Sequence, residues 1–165
     1  MSRRLAFVML LLLAPFLVAS PAFSSPADRP APDFEISNLD GKKVRLSDFK
    51  GRFILLKLAT TWCPSCKQLS DELADIGDYL TGIDAVLVEV FLQDSPEMVR
   101  THLQSQKYTM PHVALLDNGS AQRAYNVYLI PRILVIDENF KIRRDDNMIT
   151  GYDLKRRLQE LRKGT

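Results

Sequence analysis

Short apolar runs alternate with amphipathic stretches along most of this chain of 165 residues. Each apolar run is only a few residues long and is bounded by polar or turn residues, which predicts a buried strand rather than a helix. The strands predicted in this way are 53–59, 85–91, 113–116 and 133–136.

Between these strands, apolar residues recur at helical spacing, and residues that cap helices precede several of the stretches. The predicted helices are one after residue 63 with Cys66, Leu69, Leu73, Ile76 and Leu80 on one face, one from Pro96 capped by Ser95, a short one at 121–125, and a final one opened by Thr150 with Leu154, Leu158 and Leu161 on one stripe.

Two hairpins complete the predicted order of elements. Segments 34–36 and 44–46 flank a turn at 38–41, and the strand at 133–136 is followed by 140–142 after a turn at 137–139. Residues 143–146, two arginines followed by two aspartates, predict a solvated turn. Strand-helix-strand followed by a hairpin and a helix indicates an α/β fold, with a mixed central sheet, helices on both faces and an N-terminal β-hairpin extension.

The N-terminus has the pattern of an export signal. Two arginines precede an apolar run at 5–19, and small and helix-breaking residues follow it, so 1–24 is predicted to be a signal peptide. The run is shorter than the roughly 20 residues that span a bilayer, which makes a permanent membrane anchor through 5–19 the alternative. A Pro/Ala-rich linker at 25–32 and a single domain at 33–165 complete the predicted organisation.

Composition adds little charge to this picture. The formal net charge is +2, and Arg3 and Arg4 of the predicted signal account for it. The mature chain would therefore be close to neutral and has no basic stripe of the kind that binds nucleic acid.

The two cysteines, Cys63 and Cys66, are the residues most indicative of chemistry. They stand three positions apart between the strand at 53–59 and the helix that follows, which is the arrangement of a redox-active dithiol. Cys63 would lie at the helix N-terminus, where unpaired amides and the helix dipole favour a thiolate, and Pro64 suits the first helical turn. We therefore expect Cys63 to be the nucleophile and the pair to form a redox-active disulfide.

Other uses of two cysteines fit less well. A structural bridge across so short a loop would constrain little of the unfolded chain. Only His102 and His112 could complete a zinc site, and neither is at a recognised spacing. Covalent haem attachment needs histidine directly after the second cysteine, where this chain has Lys67.

Taken with their surroundings, these motifs resemble those of exported thioredoxin-like proteins of the thiol-disulfide reductase and cytochrome-maturation type, within the wider group that includes peroxiredoxins. The resemblance covers nearly all of residues 32–165. The motifs that carry it are Ala31-Pro32-Asp33-Phe34, Asp40-Gly41-Lys42, Leu46-Ser47-Asp48-Phe49-Lys50-Gly51, Thr61-Trp62-Cys63-Pro64-Ser65-Cys66-Lys67 and Ile130-Pro131.

The resemblance implies roles for residues outside the dithiol. It implies a cis peptide bond before Pro131, with the backbone of Ile130 pairing with a bound substrate strand and Trp62 forming an apolar docking surface. Thioredoxin has a buried acid six residues before its first cysteine and a lysine partner on the next strand. Here Lys57 and Glu89 occupy these two positions with the charges exchanged, which makes Glu89 a candidate acceptor for the proton of Cys66.

Two departures narrow the resemblance. Leu69 replaces the glutamate that cytochrome-maturation relatives usually carry after the second cysteine, which weakens a dedicated haem-maturation role. Thr60 matches the peroxiredoxin threonine, but Leu56 replaces the proline of that motif, which disfavours peroxidase activity.

The sequence thus predicts a monomeric thiol-disulfide oxidoreductase of the cell envelope. It would act on protein disulfides as a reductase and would need no dissociable cofactor. Its partners would be oxidised client proteins and a membrane electron donor. One alternative is a copper-handling protein that binds Cu(I) through the two thiolates and His112. Another is a disulfide oxidant or isomerase.

Overall fold

Strands and helices alternate along residues 29–163, the part of the chain that the computed structural model describes. The strands are β1 (Arg29–Pro30), β2 (Glu35–Asn38), β3 (Lys43–Arg45), β4 (Ile54–Ala59), β5 (Val86–Phe91), β6 (His112–Leu116), β7 (Arg132–Ile136) and β8 (Lys141–Asp146). The helices are α1 (Pro64–Asp75), α2 (Gly77–Gly82), α3 (Pro96–Gln104), α4 (Ser120–Ala124) and α5 (Gly151–Lys163), and a 3₁₀ turn covers Leu46–Phe49.

All of these strands belong to one mixed sheet with the order β1-β8-β7-β4-β5-β6-β2-β3. β4, β5 and β6 are parallel, and β7 is antiparallel to β4. Every residue of β4 and β5 is buried, which explains their nearly continuous apolar sequence. Because β4 lies in the middle of the sheet, the turn that follows it places the cysteines at the C-terminal end of a central strand.

Helices cover both faces of the sheet. On one face, Leu55 and Leu87 pack with residues of α1, α2 and α5, including Leu69 and Leu154. On the other face, alternate residues of the same strands pack against α4 and the N-terminal hairpin. The predicted α/β layering and the mixed sheet are therefore confirmed.

The N-terminal hairpin is present as β2 and β3, which pair antiparallel. Asn38 Oδ1 accepts hydrogen bonds from two amides of the turn, and Gly41 adopts a φ of 78°, which a glycine does without steric cost. Leu46, predicted to end the second strand, instead begins the 3₁₀ turn and is fully buried.

The domain begins earlier than predicted, because residues 29–32 pack on it. β1 pairs antiparallel with β8, and the buried Ala31 donates its amide hydrogen bond to the carbonyl oxygen of Phe140 over 2.9 Å. The carbonyl oxygen of Pro32 accepts a 2.8 Å hydrogen bond from the hydroxyl of Tyr125.

The predicted linker 25–32 is therefore wrong for its last four residues, since strand pairing and burial cannot be read from a Pro/Ala-rich composition. Residues 25–28 and the predicted signal peptide 1–24 lie outside the described residues. Within residues 29–163, no helix is long and apolar enough to cross a membrane.

The helix predicted after residue 63 is two helices. α1 ends at Asp75 and α2 begins at Gly77. A Cβ at Gly77 would lie 2.3 Å from Thr109 Oγ1, so this close approach requires glycine, which disfavours a continuous helix. α3 begins at Pro96 as predicted, and the hydroxyl of Ser95 accepts the capping hydrogen bond.

The charged segment 143–146 lies in β8 and is not a turn. β8 continues to residue 146 because it pairs with β7. Arg132 of β7 donates two 2.7 Å hydrogen bonds to the carboxylate of Asp145. These cross-strand charges could not be recognised from the segment alone.

Candidate active site

The two cysteines lie where β4 turns into α1. Cys63 is the N-cap residue of α1, with extended backbone angles, and Pro64 occupies the first turn. Cys63 Sγ accepts a 3.4 Å hydrogen bond from the amide of Cys66 and lies 3.2 Å from the hydroxyl of Ser65. The sulfur thus occupies the position in which a capping oxygen usually satisfies the free amides of a helix. Both cysteines are free thiols.

The two thiols differ in acidity. Burial raises the pKa of Cys63, but the hydrogen bonds from Cys66 and Ser65 outweigh it, and the net pKa is lowered. At Cys66, burial and the hydrogen bond with Cys63 raise the pKa to about 12. Cys63 is 8% exposed and Cys66 is 1% exposed. The more acidic sulfur is therefore also the more accessible one.

Apolar residues lie beside the dithiol in the sequence and in the fold. Trp62 is 62% exposed, and Ile130 packs against both cysteines. The peptide bond between Ile130 and Pro131 is cis. Tyr128 is 89% exposed and precedes these residues in the same loop. The structure thus brings Ile130 to the dithiol from a distant part of the sequence, whereas Trp62 directly precedes Cys63 in the chain.

An acidic residue outside the predicted set fixes the segment before the dithiol. The Asp94 carboxylate accepts a 3.0 Å hydrogen bond from the amide of Thr61 and a 2.8 Å hydrogen bond from its hydroxyl. Gln93, beside it, has a φ of 60°, which is uncommon for a residue with a side chain. Asp94 follows the end of β5, and the position of an acid after a strand was the only sequence signal for it.

Lys57 and Glu89 meet beneath the dithiol. They are opposite each other in the parallel pairing of β4 with β5, and Lys57 Nζ lies 2.5 Å from Glu89 Oε1. Both side chains are at most 1% exposed. Lys57 also donates to the hydroxyl of Ser70, which in turn donates a 3.2 Å hydrogen bond to the carbonyl oxygen of Cys66.

His112 is the third member of this buried cluster. Its Nε2 lies 3.2 Å from Glu89 Oε2, and its ring is 4.9 Å from the ring of Tyr108. Burial opposes ionisation of Glu89, but the charge of Lys57 and the hydrogen bond from His112 hold the pKa of Glu89 well below its usual range. A carboxylate held in its ionised form is a weak acceptor for the proton of Cys66.

The cluster bears on the copper alternative. The Nε2 of His112 is engaged with the Glu89 carboxylate. Among residues 29–163, no group of three or more histidine, cysteine, aspartate or glutamate side chains is arranged to hold a metal ion. The sequence indicates His112 only as a candidate metal ligand, because its contact with Glu89 depends on how β5 and β6 are paired.

The fold and the paired, unequal thiols define a thioredoxin-like thiol-disulfide oxidoreductase. The chain belongs to the AhpC/TSA family, whose model matches residues 27–145. It is 29% identical over 133 residues to the thiol-disulfide oxidoreductase ResA of Bacillus thuringiensis subsp. konkukian, which covers 79% of this chain and 73% of the relative. It is also 31% identical over 110 residues to the thioredoxin-like protein YneN of Bacillus subtilis, covering 66% of this chain and 64% of that protein.

Solved structures show the same fold. The thioredoxin domain of a thiol-disulfide oxidoreductase from Bacteroides vulgatus superposes with a TM-score of 0.71 at 21% identity, over 84% of this chain and 99% of that domain. StoA from Bacillus subtilis superposes with a TM-score of 0.61 at 26% identity, over 77% of this chain and 98% of that structure.

Proposed function

We propose that this protein reduces disulfides in other proteins of the bacterial cell envelope, with Cys63 as the nucleophile and Cys66 as the resolving thiol. The observation that carries the proposal is the difference between the two sulfurs. Cys63 accepts hydrogen bonds at the N-terminus of α1 and has a lowered pKa, whereas Cys66 is buried with a pKa of about 12. A thiolate is the attacking species, so the sulfur that ionises first attacks first.

The cycle has two exchange steps. The Cys63 thiolate attacks one sulfur of a client disulfide, forms a mixed disulfide, and expels the other client sulfur as a thiolate that takes up a proton. Cys66 then loses its proton and attacks Cys63 Sγ, which closes the Cys63–Cys66 disulfide and releases the second client thiol. The client gains two electrons and two protons, and a dithiol protein must supply the same two electrons to reset the pair.

The acidity of the thiols supports a reductase more than a strong oxidant. Strong oxidants of this fold stabilise their reduced form as a thiolate. Here burial opposes ionisation of Cys63, and Cys66 keeps its proton far above neutral pH. Burial thus counters part of the thiolate stabilisation that the hydrogen bonds give the reduced pair, which leaves its electrons more available for transfer.

Location and partners follow from the N-terminus and the active-site surface. The predicted signal peptide places the protein in the periplasm or elsewhere in the cell envelope, where disulfides persist. Clients would dock on the apolar surface formed by Trp62 and the loop that carries Ile130 and Pro131. A membrane protein that carries a dithiol is the proposed electron donor. The exchange requires neither a second copy of the chain nor nucleic acid, so the proposed form is a monomer that binds no nucleic acid.

The test is to trap clients in the native envelope. In Cys66→Ser the mixed disulfide cannot be resolved, so client proteins should accumulate on Cys63, and a reductant should release them. Cys63→Ser is the matched control and should trap nothing. In the reduced protein, iodoacetamide should label Cys63 well before Cys66, and most molecules in unstressed cells should hold the dithiol.

Two results would contradict the proposal. If Cys66 is alkylated first, the assigned roles are reversed. If the pair is mostly a disulfide in cells and the trapped proteins are newly exported chains that have free thiols, the protein acts as an oxidant.

A further inference from the structure

Lys57, Glu89 and His112 form a charge array across three adjacent strands. Glu89 on β5 lies between the other two, with Oε1 at 2.5 Å from Lys57 Nζ on β4 and Oε2 at 3.2 Å from His112 Nε2 on β6. Each oxygen of the carboxylate thus faces a different nitrogen. The contribution of each partner to neutralising Glu89 therefore depends on the charge of the other.

One end of the array is buried and the other is exposed to solvent. Lys57 and Glu89 are at most 1% exposed, whereas the side chain of His112 is 17% exposed and lines a surface cavity of about 270 Å³. The buried end, at Lys57, lies next to the dithiol, because Ser70 links Lys57 to the carbonyl oxygen of Cys66. Of these three side chains, only that of His112 is appreciably exposed to solvent.

We propose that His112 is a positioning residue for the resolving step, which controls through Glu89 how strongly the charge of Lys57 favours the Cys66 thiolate. When His112 is neutral, Glu89 neutralises Lys57 and the array has no net charge. When His112 is protonated, Glu89 has two cationic partners, and the net charge of the array is +1. A positive array beneath Cys66 favours the thiolate that attacks the mixed disulfide. This inference rests on the proposed role of Cys66.

Few other ionisable groups face the array among residues 29–163. They are Tyr108, whose ring lies against His112; His102 on α3, whose ring packs on Phe91; and Asp40 in the β2–β3 turn, which lines the same cavity and lies 3.8 Å from Arg100. Asp94 and the exposed pair of Asp71 and Lys67 act on Tyr108 or His102 only through their charge. Asp40 and Arg100 are more than half exposed, so solvent screens them, and burial lowers the pKa of His102. Of these groups, His112 is the one whose side chain lies within hydrogen-bond distance of the Glu89 carboxylate.

The resolving step can be observed directly with the reduced protein and 5,5′-dithiobis(2-nitrobenzoate) in stopped flow. Attack by Cys63 releases one coloured thiolate at a rate that depends on reagent concentration. Attack by Cys66 on the mixed disulfide releases the second at a rate that does not. The second rate rises with pH because Cys66 must ionise.

In the wild type, the logarithm of the second rate should rise with a slope below one between about pH 5 and pH 8, where histidine loses its charge. His112→Gln keeps a hydrogen-bonding side chain without the charge. It should be about threefold slower than the wild type at about pH 5.5 and equal to it at about pH 8.5. The factor is only about threefold because a thiol with a tenfold larger thiolate fraction is intrinsically less nucleophilic.

His112→Lys keeps a positive charge at both pH values and should exceed the wild type at about pH 8.5 by the same factor. His102→Gln changes the other histidine of the chain and should leave the profile unchanged. A wild-type slope of one throughout overturns the proposal without any variant, and so does a His112→Gln rate lowered equally at both pH values. If the second phase is missing in the wild type or persists in Cys66→Ser, the proposed function fails instead.

Discussion

Lys57 and Glu89 can remain charged inside the sheet because each has partners. Lys57 has the Glu89 carboxylate and the hydroxyl of Ser70, and Glu89 has Lys57 and His112. Two ions of this kind lose their hydration on burial, and their mutual attraction offsets that loss only while the geometry holds. The stability of the molecule should therefore depend far more on the partners being matched than on the charges themselves.

A double-mutant cycle measures this dependence. Lys57→Met and Glu89→Leu should each reduce the free energy of unfolding by about 3–5 kcal/mol, and the double variant should recover much of the loss. Glu89→Leu should be the worse of the two, since Lys57 then keeps only Ser70. Denaturant unfolding of the four proteins gives the coupling free energy. A coupling near zero would show that the pair contributes nothing as a pair.

The exposed ion pair of Lys67 and Asp71 on α1 is the control. Its side chains are both 64% exposed at a separation of 3.4 Å, and its coupling should be below about 0.5 kcal/mol.

The contribution of Glu89 to the free energy of unfolding should depend on pH with a definite sign. Because the pKa of Glu89 is lowered in the folded protein, its contribution is complete above about pH 4.3 and is lost as the pH falls through the lower folded value.

The resemblance to thioredoxin was sufficient to select Lys57 and Glu89, because they occupy the positions of its buried acid and lysine with the charges exchanged. Neither that resemblance nor the strand pattern identified the contacts of His112 and Asp94. Histidine at the start of a strand and aspartate after the end of one are ordinary, and their contacts depend on the pairing of β5 with β6 and on the loop before α3.

The loop between α4 and β7 carries the proposed client-binding backbone and is fastened by Arg132. This guanidinium donates two 2.7 Å hydrogen bonds to Asp145 and another to the carbonyl oxygen of Tyr125 at the end of α4. Asn147 Nδ2 lies 3.4 Å from the carbonyl oxygen of Pro131. Asp145 of β8 is thus linked through Arg132 to the start of the loop, and Asn147, directly after β8, contacts its end.

Arg132→Lys should weaken client binding without altering thiol chemistry. A lysine cannot reproduce the two parallel hydrogen bonds and the third to a carbonyl. We expect the KM for a protein disulfide to rise about threefold to tenfold, while the rate of Cys63 with the small disulfide reagent stays the same. Steady-state reduction of a disulfide-bonded protein gives KM.

Arg144→Lys is the matched control, because Arg144 makes a comparable two-bond contact with Asp146 in the same strand. Its KM should remain that of the wild type. Equal effects of the two substitutions would mean that β8 responds to any lost ion pair and that Arg132 has no particular role in the loop.

Element types were easier to predict than their limits. The central strands and α3 follow from apolar runs and a Ser-Pro cap. The break between α1 and α2 does not, because Leu80 stays in phase with α1 and the close approach of Thr109 to Gly77 comes from distant sequence. The length of β8 was missed for a similar reason, since its charges are accommodated by β7.

Residues 29–32 are part of the folded domain and not only a connection to the predicted signal peptide. Ala31 is buried, its amide is bonded to β8, and Pro32 is bonded to Tyr125. These contacts join the N-terminal segment to the start of β8 and to the end of α4.

Truncation should reveal this contribution. A chain that begins at residue 29 should unfold at the same denaturant concentration as one that begins at residue 25. A chain that begins at residue 33 should lose about 2 kcal/mol, from two hydrogen bonds and one buried side chain. Denaturant unfolding measured on the three chains decides between these results. Identical midpoints for all three would restore the linker boundary predicted at residue 32.

The two outermost strands of the described sheet have a consequence for self-association. β1 is two residues long and contains Pro30, which has no amide hydrogen to donate, and β3 is three residues long and carries Lys43 and Arg45. Short edges, proline and positive charge are the features that stop one sheet from continuing into the sheet of a neighbouring molecule. The protein can therefore be crowded among its own copies without forming fibrils by edge-to-edge growth.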